Sequence, residues 1–345
     1  MLAAVFHRNG GPEVVEVEEV PVPRPGTGEL GIRVEASSMN HLDLWMRRGL
    51  PFEIPMPHIG GSDIAGTVAE AGAGTDPEWI GKRVVVDPSL AYDWYRLARS
   101  KGRNAEPFRV IGEHTQGGFA EFAVVPAANA VELPEGFPAE TAAAAGLAGV
   151  TAWRALMSRG GLRKGERVLV TGASGGVSAM AVQFAAAAGA EVFAVTSSEE
   201  NVRRVRALGA RHVFDRTATD WARDVHRITR KRGVDLCLDS VGEAIWPQLL
   251  RGLAVGGRLV SFGATAGPAG KVDIRLLFWR QLSIRGSTMG TPAEFRAAMD
   301  MVFRRVATPP VHAVLPLSEA RRAHELLEAG EVFGKLVLAP VRQRA

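Results

Sequence analysis

The chain has 345 residues, 46% of them hydrophobic and 23% charged, with a mean hydropathy of +0.03, the composition of an ordinary globular protein long enough for two domains. Its net charge of +4 and pI near 9.6 come from scattered arginines, which do not form the dense basic stripe of a nucleic-acid binder. The single cysteine, Cys237, excludes an internal disulfide and a cysteine-built metal centre, and no apolar run reaches transmembrane length.

The N-terminal MLAAVFHRNGG lacks a basic region followed by an apolar run and a cleavage site, so no signal peptide is read and the cytoplasm is the expected compartment. The N-terminal part then reads as short strands punctuated by Gly and Pro: VVEVEEV, LGIRVEAS, AGTVAEAG, KRVVVDP and FAEFAVVP. A polar insertion follows Asp87, and its Tyr92, Trp94 and Tyr95 either wall a pocket or pack on the surface. Helical segments begin at Ala139. From Arg167 strands and helices alternate: strands at 167–171, 191–195, 212–214, 235–239 and 258–262, and helices at 176–188, 199–208, 221–229 and 244–253. Helices at 294–306 and 317–329 and a strand at 334–338 complete the chain. Alternating elements of this length predict an α/β chain with a parallel sheet covered on both faces. Cys237, in VDLCLDS, reads as an inert strand residue.

The strongest chemical signal is ERVLVTGASGGVSAMAVQFAAAAGAEVFAV, a strand running into a Gly-rich turn, a helix and a second strand. Backbone N–H groups at such a turn, reinforced by the helix dipole, attract a pyrophosphate. The residues expected there are Ala173, Ser174, Gly175, Gly176 and Val177, with Ser178 standing where the fingerprint has its third glycine. The second strand ends in Thr196, Ser197 and Ser198, with no acid to bind ribose hydroxyls. The serines can donate to a 2′-phosphate. Arg203 and Arg204 either add charge there or belong to a solvated helix face. NADP is therefore expected, with NAD as the alternative. Ser240 and Val241 end one strand, and Gly263, Ala264 and Thr265 another. The carboxyl ends of strands in such a sheet meet the ligand.

These features, with GGPEVVEVEEVPVPRPGTGEL, SSMNHLDLWMRRG, PHIGGSDIAGTVAEAG, GKRVV, GGFAEFAVVP, AGVTAW, LDSVG, GGRLVSFG and the terminal FGKLVL, resemble the medium-chain dehydrogenase/reductase superfamily over essentially the whole chain. The resemblance implies a GroES-like β-rich catalytic domain at 1–131 and 307–345, a doubly wound Rossmann domain at 132–306, and dinucleotide and substrate meeting in the cleft between them. It also implies a homodimer or homotetramer, with the sheet edge near 276–287 as the candidate contact, and a small-molecule substrate. No nucleic-acid or membrane partner is expected.

Zinc-carrying members of that family place a Cys where this chain has Asn40, Gly-His-Glu where it has Gly61, Ser62 and Asp63, and a further Cys near 145–147. A catalytic zinc needs about three N, S or carboxylate ligands, so no metal is expected. The resemblance implies a zinc-free, quinone oxidoreductase-like enzyme that passes hydride to a quinone, activated alkene or aldehyde. An alcohol dehydrogenase and a non-catalytic NADP-binding protein stand as alternatives. By resemblance Asn40 orients substrate and Thr151 lies near the nicotinamide. Asp43 is either a proton relay or a helix-terminal charge, and His41 either an acid or a structural hydrogen-bonder. Lys335 lies near the adenylate or cleft, or is a solvated lysine.

Overall fold

The computed structural model describes residues 1–90 and 109–340. Tyr92, Trp94 and Tyr95 lie outside the described residues. The chain divides into two compact units. The first comprises Met1–Leu147, Gly290–Phe303 and the stretch from Pro310. The second comprises Ala148–Met289 and Arg304–Pro309.

The first unit is built on a sheet in which Glu29–Ser38 is central. It pairs antiparallel with Ala65–Ala71, with Phe122–Pro126 and with Lys335–Ala339. Leu30, Ile32 and Val34 pack with Ile64, Val68, Val84, Val86 and Val125 into one buried cluster, which fixes the register, since a slip of one residue would turn every side chain to the other face. Val311–Pro316 lies parallel to Lys335–Ala339 on the outer side. The pairing that positions chemistry is Val337 opposite Ser38 and Leu338 opposite Ser37. The Met39 N–H continues it by donating to the Leu336 carbonyl at 2.9 Å. Lys335 and Asn40 are thereby brought side by side. The helix that begins at Ala139 is tied into this unit by its first turns, where Ala143 O accepts from Ser38 and the Leu147 N–H donates to Asp63.

In the second unit six strands form one sheet, all parallel, in the order 3-2-1-4-5-6 counted along the unit. The central strands Arg167–Val170 and Val234–Asp239 carry apolar side chains that are wholly buried, Val168, Leu169, Val170, Leu236, Cys237 and Leu238. Such runs belong to a sheet covered on both faces. Burial pushes the Cys237 thiol well up, which leaves it inert.

Several expected boundaries move, the helix at 294–306 to Pro292–Phe303 and that at 317–329 to Ala320–Ala329 among them, and two move for reasons visible in the local sequence. The helix expected from 244 starts at Trp246, with a proline in its first turn after a single 3-10 turn at Glu243–Ile245. The strand expected from 258 starts at Leu253, opposite Val234, and a bulge separates it from the regular register. The Gly256–Gly257 pair masks that beginning in the sequence. The helix Ile274–Trp279 and the strands Leu2–Phe6 and Val311–Pro316 are not among the expected elements, and Ser283–Gly286 lies in the stretch expected at the sheet edge. Among the described residues no helix is long and apolar enough to cross a membrane.

Candidate active site

In the second unit the strand order reverses between Arg167–Val170 and Val234–Asp239, which are neighbours in the sheet. Open α/β sheets bind ligands outside the carboxyl ends of the strands at such a point. The Gly-rich turn follows the first of these strands and residues 240–242 follow the second. Gly172 has φ +55°, and a Cβ there would meet Ser240 Oγ at 2.9 Å, so a side chain would both strain the turn and press it into its neighbour. Gly175 donates its N–H to Gly172 O at 2.9 Å, closing the turn. The helix Gly176–Ala187 then starts with Gly175 as its N-cap. The amides of its first turn have no intrahelical acceptors, and residues 174–177 are only half-buried. Backbone N–H groups are thus presented at an open surface.

Two buried hydroxyls fasten the turn from below. Ser178 Oγ donates to Thr171 O at 2.8 Å, and Thr171 Oγ1 donates to Asp239 Oδ1 at 2.6 Å. The same Asp239 accepts the N–H groups of Val241 at 3.2 Å and Gly242 at 3.0 Å. Burial raises the Asp239 carboxyl, and these hydrogen bonds oppose the rise. Ser240 O accepts both the N–H and the hydroxyl of Thr265, at 3.1 Å each, so the expected residues Ser240, Val241, Gly263, Ala264 and Thr265 form one connected rim. Sequence reasoning missed Asp239 and Thr171 as the fasteners. The only signal was an acid in LDSVG at the end of a strand.

Thr196 ends the neighbouring strand Glu191–Thr196 and is buried, as is Thr151. Neither Oγ1 has a hydrogen-bond partner among the described residues. A buried hydroxyl without a partner calls for a missing one. Ser198 caps the next helix by accepting the Asn201 N–H at 3.2 Å, while Ser197 is half-buried and Arg203 exposed. Arg204 pairs with Glu200 one turn away. Arg216, which the sequence did not suggest, donates its N–H to Thr196 O and so stands beside the same strand end. The turn, its glycines and these orphan hydroxyls fit a dinucleotide.

The first unit carries a different kind of site. Asp63 is wholly buried, and its carboxylate is saturated by four donors. Oδ2 accepts from Ser38 Oγ at 2.6 Å, Asn40 Nδ2 at 3.0 Å and Lys335 Nζ at 3.2 Å, and Oδ1 accepts the Leu147 N–H at 2.6 Å. A Cβ on Gly146 would lie 2.5 Å from Asp63 Oδ1, so glycine permits this approach. Lys335 is 4% exposed and donates also to Asn40 Oδ1 at 2.6 Å. It is therefore a buried ammonium rather than a solvated lysine. The Asn40 amide is held at both ends, by Lys335 on its oxygen and by Asp63 on its nitrogen.

Asp43 caps its own helix. Its carboxylate accepts the N–H of Asn40 at 2.7 Å and that of Gly61 at 3.0 Å, and it is fully buried. Of its two expected roles, this placement is that of a helix-terminal charge. Burial lifts its pKa to about 6 against the pull of those two amides. Next to it, Glu113 is pushed up to about 7, first by burial and then by the Asp43 charge. Glu113 went unnoticed because nothing in GEHTQGG announces burial. His41 stands at the start of the helix His41–Arg48. Its pKa is lowered by desolvation and then by the charges of Lys335 and Arg48, which keeps the ring neutral.

Asn40, Ser62 and Asp63 do not fit a metal. They offer an amide, a hydroxyl and a carboxylate already taken by four donors, with an ammonium beside it. Among the described residues no group of three His, Cys, Asp or Glu side chains can hold a metal ion.

Fold and turn together define an oxidoreductase that uses a nicotinamide dinucleotide. Residues 26–135 match the alcohol dehydrogenase GroES-like domain and residues 176–304 the zinc-binding dehydrogenase family. The chain is 30% identical to an alcohol dehydrogenase of Schizosaccharomyces pombe, covering 98% of this chain and 97% of that one. It is 31% identical to a quinone oxidoreductase of Pseudomonas aeruginosa, covering 97% and 98%. A crystal structure described as an NAD-dependent alcohol dehydrogenase superposes with a TM-score of 0.93 at 38% identity, covering 99% of this chain and all of that one. The chain belongs to the medium-chain dehydrogenase/reductase superfamily.

Proposed function

We propose that the protein reduces a quinone, an activated alkene or an aldehyde with NADPH and without zinc. The observation that carries the dinucleotide half is the open Gly-rich turn at the switch point, with the unpartnered hydroxyls of Thr151 and Thr196 in the same unit. When bound, the nicotinamide supplies the hydride. The amides of 174–177 hold the pyrophosphate, Thr151 orients the nicotinamide end, and the loops 240–242 and 263–265 wall the groove. Ser197, Ser198 and Arg203, with Arg216 added, take a 2′-phosphate, because the strand Glu191–Thr196 ends without the acid that would select NAD. In the first unit Asn40 and Lys335 meet the acceptor, and Asp43 braces the helix that carries Asn40. Purified protein mixed with NADPH and a panel of quinones, enals and aldehydes is expected to consume the reduced cofactor. Absence of consumption with every acceptor would overturn the reading. Alcohol oxidation is the second reading, favoured by the names of the relatives, and NADP+ with a panel of alcohols tests it.

The acting form is proposed to be a soluble homodimer, or a homotetramer built from it, in the cytoplasm, with no nucleic-acid or membrane partner. The strand Ser283–Gly286 is the sheet's outer strand. Near it stand Trp279 at 82% and Phe278 at 62% exposure, with Ile274 and Val255 at 70% each. An unpaired strand edge beside exposed apolar side chains fits a second copy of the same edge. Sedimentation of wild type as a dimer, and of Trp279→Lys as a monomer, is the expected result. A monomeric wild type would remove the proposal.

A further inference from the structure

An open strand position lies beside the strand Leu2–Phe6 of the first unit. On one side that strand pairs antiparallel with Glu16–Glu19, and the pairing continues where the Val20 N–H donates to Met1 O at 2.9 Å. On its other side it runs against residues 119–121: Ala4 donates its N–H to Phe119 O at 2.8 Å, and Glu121 donates to Leu2 O at 3.0 Å. Both flanking stretches run on past Met1, one through Pro21 and Pro23, the other as the strand Phe122–Pro126. A cavity of about 690 Å³ is lined by Val20, Pro21 and Pro23 from the first and by Phe122, Val124 and Pro126 from the second. It takes the place that a prolongation of Leu2–Phe6 would fill.

The backbone along one wall of this cavity is unpaired. Among the described strands Phe122–Pro126 pairs only with Glu29–Ser38, and an antiparallel pair turns successive residues to alternate sides. Glu121 O accepts the Val34 N–H and the Ala127 N–H donates to Gly28 O, each at 2.9 Å, which fixes the phase. Ala123 and Val125 therefore bond inward, to Ile32 and Leu30 opposite them. The N–H groups of Phe122 and Val124, and the carbonyls of Phe122, Val124 and Pro126, face the cavity. The buried side chains of Val5, Ile59 and Ile111 give it an apolar interior. Arg109 lines it too, is exposed, and among the described residues spends one N–H, on His114 O at 3.3 Å. The Glu29 carboxylate, also in the lining, is engaged by the Gly26 N–H at 2.8 Å.

We propose that this cavity is a docking slot for an extended segment of a partner protein, which adds itself as a strand against Phe122–Pro126 and sets an acidic side chain on Arg109. Two donors and three acceptors on the wall suit a strand's backbone, which presents both kinds of group at every second residue. A hydrocarbon ligand would cover these groups and leave them unpaired. Prolines on the opposite wall have no N–H to offer, so the register is set by Phe122–Pro126. The slot is walled on both sides and so takes a lone extended segment, not the edge of a second folded sheet.

The proposal is independent of the oxidoreductase reading. The probe is a fluorescein-labelled peptide, Asp-Val-Thr-Val-Asp, apolar at alternate positions and acidic at both ends, followed by anisotropy with the whole chain. Saturable one-to-one binding is expected, and none with the fully N-methylated peptide, which has lost its donors. Val124→Pro removes one outward N–H and spares the inward pairs; it is expected to weaken binding about tenfold with the melting temperature little changed. Arg109→Glu is expected to reverse the preference toward Lys-Val-Thr-Val-Lys. No saturable binding by wild type would overturn the proposal, as would equal binding by Val124→Pro or by the methylated peptide. Displacement of the peptide by cis-parinaric acid, held equally by wild type and Val124→Pro, would make the cavity an apolar-ligand pocket instead. An oligomer that Val124→Pro dissociates would assign the slot to a second copy of this chain, and either result overturns the partner segment.

Discussion

The turn of the second unit is made of backbone: glycines at 172, 175 and 176, amides of a helix start, and hydroxyls bonded to carbonyls. The cluster of the first unit is made of ionisable side chains: Asp43, Asp63, Glu113 and Lys335, most of them sealed from water. A backbone site is broken by bulk, and here Asp239 is the titratable group that fastens it. A site of buried charges depends on proton inventory and on each partner remaining in place. The comparison therefore predicts different sensitivities in the two halves of one enzyme.

The largest expected effect is steric and falls on the turn. Gly172→Val places a β-branched side chain at φ +55°, against Ser240 Oγ and Val241 Cγ2. Dinucleotide affinity is expected to fall about 100-fold, or ~2.7 kcal/mol, measured by quenching of reduced-nicotinamide fluorescence. A variant that bound the cofactor as tightly as wild type would show that the turn does not need its left-handed glycine.

The next effects are proton-linked and belong to the first unit. His324 is buried against the edge of Phe119 and beside Arg47, which pairs with Glu328. Desolvation, then the Arg47 charge, lowers its pKa from 6.5 to about 3, with Glu328 pulling the other way. The folded protein thus keeps the ring neutral while the unfolded chain protonates near 6.5, so stability is lost as pH falls below 6.5, by ~1.4 kcal/mol per unit down to the folded pKa. His324→Phe should flatten this limb, so that its melting temperature falls less than that of wild type between pH 6.5 and pH 4.5. Glu113 has the opposite sign. Its folded pKa of about 7 lies above the ordinary 4.5, so the folded state holds the proton longer and stability falls as pH rises from 4.5 to 7. Glu113→Gln should match wild type near pH 4.5 and exceed it by about 1 kcal/mol at pH 8, an amount discounted for partial solvent screening. Equal melting temperatures at pH 8 would place Glu113 in water.

The same contrast explains what could be read in advance. The turn was legible because strand, glycines, helix and second strand are contiguous, and each step carries its own local pattern. Lys335 and Asp63 are 272 residues apart and meet only through the pairing of Val337 with Ser38. No spacing rule reports such a meeting. Asp43 was half legible, since an acid three positions after Asn40 matches a helix cap, yet its burial came from Gly60 and Gly61 folding over it. Glu113 was silent, and Asp239 signalled only as an acid ending a strand, because their character lies in desolvation, a property of the packed chain.

The smallest expected effect tests the cofactor choice at its most exposed point. Arg203 lies on the solvent face of the helix Glu199–Ala207, where salt and water screen its charge. If it meets a 2′-phosphate it does so as one contributor beside Ser197, Ser198 and Arg216. Arg203→Gln is then expected to weaken NADPH by about three- to tenfold at low ionic strength, leave NADH unchanged, and lose its effect as salt is raised. Asp215, which pairs with Thr196 across the sheet, is already engaged by the N–H and hydroxyl of Thr217 at 2.8 and 2.7 Å, so it offers no ready substitute for the ribose-binding acid of an NAD enzyme. Equal weakening of both cofactors would mean that Arg203 acts on the turn as a whole. A wild type preferring NADH would reverse the assignment of Ser197 and Ser198 from phosphate to ribose.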